Sequence, residues 1–128
     1  MERLRTFWIL TVAVAFVTGC SGERSAYKGG RADAEADISK GLLRIAYAQG
    51  EQFPPYFSEY DELLANKYKI RWRLYAPPMK TNLAQARARG YNEVSKVEIE
   101  RRFGTNALSQ TMAEAEKAHG GSRGGRGR

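Results

Sequence analysis

Apolar and polar positions divide the chain into an uncharged start, a polar stretch, a patterned middle and a polar end. Phe7 to Val17 carries no charge, follows the basic start of Arg3 and Arg5, and gives way to the small residues Thr18 and Gly19. That three-part plan is the plan of a secretory signal peptide. The apolar run is shorter than the ~20 residues that span a bilayer core. Residues 20–40 hold almost no large apolar side chain apart from Tyr27 and Ile38. Such a composition buries too little surface to offset its ordering entropy, so it reads as a flexible tether in which only Ala34 to Ser39 begins a helical turn.

The middle is patterned. Leu42 to Tyr47, bounded by Gly41 and Gly50, is short enough for a strand and places Leu43, Ile45 and Tyr47 on one face. After Pro54-Pro55, Tyr56, Tyr60, Leu63, Leu64 and Lys67 recur at helical spacing, with Glu59, Asp61 and Glu62 near the start, which predicts a helix from Pro55 to Asn66. Lys69 to Tyr75 alternates, predicting a half-buried strand with Ile70, Trp72 and Leu74 inward and Lys69, Arg71, Arg73 and Tyr75 outward. Strand, helix and strand at these separations suit a right-handed parallel crossover. A two-stranded sheet then needs helices to cover it.

Thr81 or Asn82 can cap a helical region from Leu83 to Phe103. Its apolar positions form two stripes that do not align, Leu83, Ala86, Val94 and Val97 against Ala88, Ile99 and Phe103. Gly90-Tyr91-Asn92 is therefore expected to bend or divide it, with Gly104 as its end. A last helix, Ala107 to His119, starts at Asn106 and stops at Gly120-Gly121, and 120–128 reads as a disordered Gly/Arg tail. The expected fold class is α/β: a small β-α-β unit followed by two or three C-terminal helices, in a domain over 41–119 flanked by disordered segments.

Charge changes this picture little. Of the net +7, residues 1–19 carry +1 and the three arginines after residue 119 carry +3, which leaves +3 for residues 21–119. The high isoelectric point thus comes partly from the ends. One cysteine in the whole chain excludes an internal disulfide, so packing alone must hold the core.

That cysteine closes the motif Val17-Thr18-Gly19-Cys20, which resembles the lipobox of bacterial lipoproteins. The resemblance covers the first twenty residues and implies signal cleavage between Gly19 and Cys20, a diacylglycerol thioether on Cys20 and acylation of the new amino terminus. A plain signal peptide with a chance cysteine and a chance apolar start on a cytosolic protein are the competing readings. Two or three acyl chains would hold far more firmly than the single chain that gives reversible binding. Ser21, where an Asp would signal retention at the inner membrane, implies passage to an outer membrane where one exists. The partner implied is membrane lipid, and the location is the cell envelope.

Candidate chemistry is sparse. His119 is the sole histidine and stands where a helix end favours a cation. With Cys20 lipidated no thiol nucleophile remains, and no set of three or four zinc ligands is visible. Glu59, Asp61 and Glu62 read as helix-start charges. Glu93, Glu98 and Glu100 alternate with Lys96, Arg101 and Arg102 as a solvated face, so no catalytic residue, metal or cofactor is assigned. Arg123, Arg126 and Arg128 among glycines look like an RNA-binding tail, and Lys69, Arg71 and Arg73 interleave with Trp72 and Tyr75. Alternation would send Trp72 away from those arginines, however, and a signal peptide takes the chain away from cytosolic RNA.

The same six basic residues fit contact with an anionic envelope polymer or lipid headgroups, or simply a charged strand face that guards its edge. Tyr56, Phe57 and Tyr60 beside Pro54-Pro55 are a candidate partner patch, although core packing is the commoner use. A small sheet with open edges could also recruit a second copy by strand addition. The expected function is a non-catalytic binding or structural role at the membrane surface. The alternatives are a small envelope hydrolase, which a pocket with two close carboxylates would revive, and RNA binding through the tail.

Overall fold

The computed structural model describes residues 21–123. The signal peptide, Gly19, Cys20, Arg126 and Arg128 lie outside them. The elements in order are α1 (Ser21–Ser39), β1 (Arg44–Ala48), α2 (Phe57–Tyr68), β2 (Arg71–Tyr75), α3 (Thr81–Phe103) and α4 (Ala107–Arg123). β1 and β2 pair in parallel, with Ile45 beside Trp72 and Tyr47 beside Leu74, and α2 forms the crossover between them. The architecture is mixed helix and strand with a very small sheet, and helices supply most of it.

The sheet has two covered faces. On one, Leu43, Ile45, Tyr60, Leu64, Ile70, Ile99 and Ala115 form a core of large aliphatic and aromatic groups contributed by β1, α2, the end of α3, and α4. On the other, Ala34, Ala46, Ala48, Tyr75, Ala84, Ala88 and Tyr91 form a second core of mostly small residues under α1 and α3. β1 is therefore buried on both sides, which suits a strand beneath two helical layers.

The largest departure from the sequence-based expectation is α1. Residues predicted as a tether form a nineteen-residue helix that lies parallel to α3: Gly22 faces Leu83, and Gly30 meets Arg87 and Tyr91. α3 in turn runs antiparallel to β1, since Asn92 contacts Ala46 and Ser95 contacts Arg44. A β-carbon on Gly30 would stand 1.9 Å from the Arg87 carbonyl oxygen, and one on Gly90 would stand 2.0 Å from that of Tyr27. The two helices thus touch backbone to backbone, a contact glycine alone permits. Their cohesion needs no large side chain, which is why hydrophobic counting missed it.

Gly90 accordingly neither bends nor divides α3, which is continuous from Thr81 to Phe103 with Lys80 as N-cap and no side-chain cap from Thr81 or Asn82. Val97, expected on an inward stripe, is 65% exposed. α2 starts and ends two residues later than predicted, because Pro54 forms the turn that accepts the Phe57 N–H, and Lys69 ends the helix in the left-handed region at φ 57°. α4 continues through Gly120-Gly121 to Arg123 instead of stopping at His119.

Candidate functional site

The densest assembly of ionisable groups lies where α1 crosses β2. Asp33 and Asp37, one helical turn apart, point at the sheet. Asp37 Oδ2 accepts from the Tyr91 hydroxyl at 2.7 Å and from Arg73 Nη1 at 2.9 Å, with Arg44 Nη1 at 3.7 Å. Asp33 Oδ2 accepts from the Tyr75 hydroxyl at 2.7 Å and Arg87 Nε at 2.8 Å, with Arg73 Nη2 at 3.7 Å. Arg73 bridges the two carboxylates and also lies over the Tyr75 and Tyr91 rings, 5.4 and 5.6 Å from their centroids.

Burial by itself would push both carboxyls up, but hydrogen bonds and the arginine charges outweigh it and hold both below the usual range: Arg87 and Tyr75 act on Asp33, Tyr91 and Arg73 on Asp37. Burial, reinforced by the bond to Asp33, pushes Tyr75 up to about 12, and burial and Asp37 raise Tyr91 as well. At neutral pH the assembly is two carboxylates, three guanidiniums and two neutral phenols donating to charge. Every group favours the state that holds α1 on the sheet.

This corrects the prediction for β2. Arg73 and Tyr75 face α1 and are covered, while Leu74, expected inward, is 48% exposed. Arg73 is therefore engaged with Asp33 and Asp37 and is not part of an open cationic face. Lys69 and Arg71 are exposed, Lys69 in the turn before the strand, and Arg123 ends α4. Alternation within β2 and the inward placing of Ile70 and Trp72 were read correctly; that the opposite face would be covered as well was not, because α1 was not foreseen. The signal in the sequence was Asp33 and Asp37 four apart, on the face that a helix would present to a strand carrying arginine.

The aromatic patch is partly core. Tyr60 is buried, and the rings of Phe53, Phe57, Tyr47 and Trp72 form a chain of contacts, with Phe53 stacked on Phe57 at 4.1 Å between centroids and Phe57 at 5.0 Å from Trp72. Trp72 Nε1 donates to Asp61 at 2.8 Å, so Asp61 serves the indole. Phe53, 40% exposed, is the outer member, and the sequence reading had left it out of the cluster.

His119 lies inside α4 and its Nδ1 is 2.8 Å from Glu59 Oε1 of α2; that hydrogen bond, with help from the backbone, lowers the Glu59 carboxyl. Lys67 and Glu114 pair alongside. Both contacts join α2 to α4. A cleft of about 80 Å³ opens between Gln49, Tyr75, Pro77, Met79 and Thr81, room for only a few waters. Among the described residues, no three His, Cys, Asp or Glu side chains cluster to hold a metal ion, and no helix is long and apolar enough to cross a membrane. No protein-family model, curated protein or solved structure matches the chain.

Proposed function

We propose that this protein is an envelope lipoprotein, anchored through acylated Cys20, whose folded part has a non-catalytic structural or binding role at the membrane surface. The observation that carries the proposal is Val17-Thr18-Gly19-Cys20 at the end of a basic start and an apolar run. The ion network supports a structural role, since its carboxylates and phenols are committed to fastening α1 onto α3 and β2.

The tether disappears from this account. Ser21, the residue after Cys20, already belongs to α1, and adjacent α-carbons are only ~3.8 Å apart. A lipid on Cys20 is thus joined directly to a helix fused to the domain, which holds the domain at the headgroups. Intact mass spectrometry of the membrane-extracted protein tests the anchor. A mass beginning at Cys20 with diacylglycerol and acyl additions, lost in Cys20→Ala, is expected; an unmodified Met1 would overturn the proposal.

A further inference from the structure

The two edges of the sheet are treated differently. The outward groups of β1 are occupied: Asn92 Oδ1 accepts the Ala46 N–H at 2.7 Å, Asn92 Nδ2 donates to the Ala46 carbonyl at 2.8 Å, the Ser95 hydroxyl donates to the Arg44 carbonyl, and Glu51 accepts the Ala48 N–H at 3.3 Å. On β2 the ladder bonds from the Arg71 N–H to Leu43 and from the Gln49 N–H to the Tyr75 carbonyl fix which residues face β1. They are Arg71, Arg73 and Tyr75, so the N–H and C=O groups of Trp72, Leu74 and Ala76 point away from it. Among the described residues, no loop or side-chain hydrogen bond reaches Trp72 or Leu74 backbone on that side. An open edge is a template for another strand.

We propose that β2 pairs antiparallel with β2 of a second copy of this chain, making one four-stranded sheet across a two-fold axis with Leu74 opposite Leu74. Charge selects this register. Centring the pair on Arg73 sets two guanidiniums opposite each other, and centring it on Trp72 sets Arg71 opposite Arg73; like charges directly opposite destabilise a strand pair. Centring on Leu74 avoids both. It joins the two exposed Leu74 side chains and brings Arg73 beside Tyr75 of the partner, repeating the contact Arg73 already makes with its own Tyr75. β2 ends at Tyr75 and Pro77 has no N–H to donate, so Ala76 closes the pairing.

The helical layer permits the approach. α1 meets α3 with Tyr27, Gly30 and Arg31 and meets β2 with Asp33 and Asp37. Gly29 lies against the Arg87 guanidinium, and the exposed positions next to it around the helix, Ser25, Ala32 and Ala36, are small and offer little bulk to a neighbouring copy. A second copy brings the matching open edge and small-residue flank automatically, as two-fold contacts require.

The test uses the purified full-length chain in detergent. Light scattering should give a dimer mass for the wild type and a monomer mass for Leu74→Lys and for Leu74→Pro, with unchanged circular dichroism; proline is tolerated on an edge whose N–H points outward. In native membranes Leu74→Cys should form a cross-linked dimer with a short bis-maleimide, while the parent chain and Val97→Cys should not. A monomeric wild type, a dimer that survives both Leu74 substitutions, or a Leu74→Cys cross-link to a protein of different mass would each overturn the second copy as occupant.

Discussion

The two faces of the sheet are held by different physics. Beneath α2 and α4, large side chains fill volume, with Leu64, Ile70 and Ile99 fully buried. Beneath α1 and α3, glycines let two backbones touch, alanines fill what space is left, and a carboxylate–arginine–tyrosine network closes the rim. Volume-filling cores degrade gradually when trimmed. Backbone contact admits no added volume, and charge pairing adds a dependence on pH that an aliphatic core lacks.

The hardest test of that contrast is to enlarge a glycine. Gly90→Val should cost more than about 4 kcal/mol, because the obstruction is the Tyr27 carbonyl and not a movable side-chain tip. Hydrogen exchange should show α1 losing protection ahead of α2 and α4. Equal loss over the whole chain would mean that the two faces are not separable. On the other face Leu64→Ala, a cavity in a packed core, should cost about 3 kcal/mol in urea unfolding while α1 keeps its contact with α3.

Asp37→Asn comes next, at about 2 kcal/mol, by weakening the bond to Arg73. Its signature is pH. Asp33 and Asp37 have depressed folded values, so their contribution is full above the ordinary aspartate range and is lost as pH falls through those folded values. Tyr75 and Tyr91 are raised, so theirs is full below the ordinary tyrosine range and is lost as pH rises, for Tyr75 through about 12. Thermal denaturation of the wild type should therefore lose stability in acid and in strong alkali, and Asp37→Asn should flatten the acid limb. The smallest effect belongs to the exposed Lys67–Glu114 pair: Glu114→Gln should leave the melting temperature unchanged within error.

What could be read from the sequence follows the same division. Leu43 and Ile45, Tyr60 and Leu64, and the parallel strand–helix–strand unit were legible because large apolar groups recur at the period of their element. α1 was not legible. Its Gly29-Gly30 pair reads as flexibility when the partner helix is unknown, and Gly90 reads as a break for the same reason; each glycine makes sense only opposite the other helix. Ile70 and Trp72 were placed inward as the structure has them, but the second covered face of β2 was missed for the same cause, since an arginine pointing at an unforeseen helix with two aspartates looks like an arginine pointing at water. Asn92 was read as part of a bend or break in α3, yet its amide closes the β1 edge. The asymmetry between a closed β1 and an open β2 was correspondingly out of reach.

The direction of α1 has a consequence for posture. In the proposed antiparallel pair the two copies of this helix start at opposite ends of the assembly. With the proposed acyl group on the residue before each helix, such a body would not stand upright like a post. It would lie along the bilayer like a plank pinned at both ends, one broad face toward the headgroups and the other turned away from them.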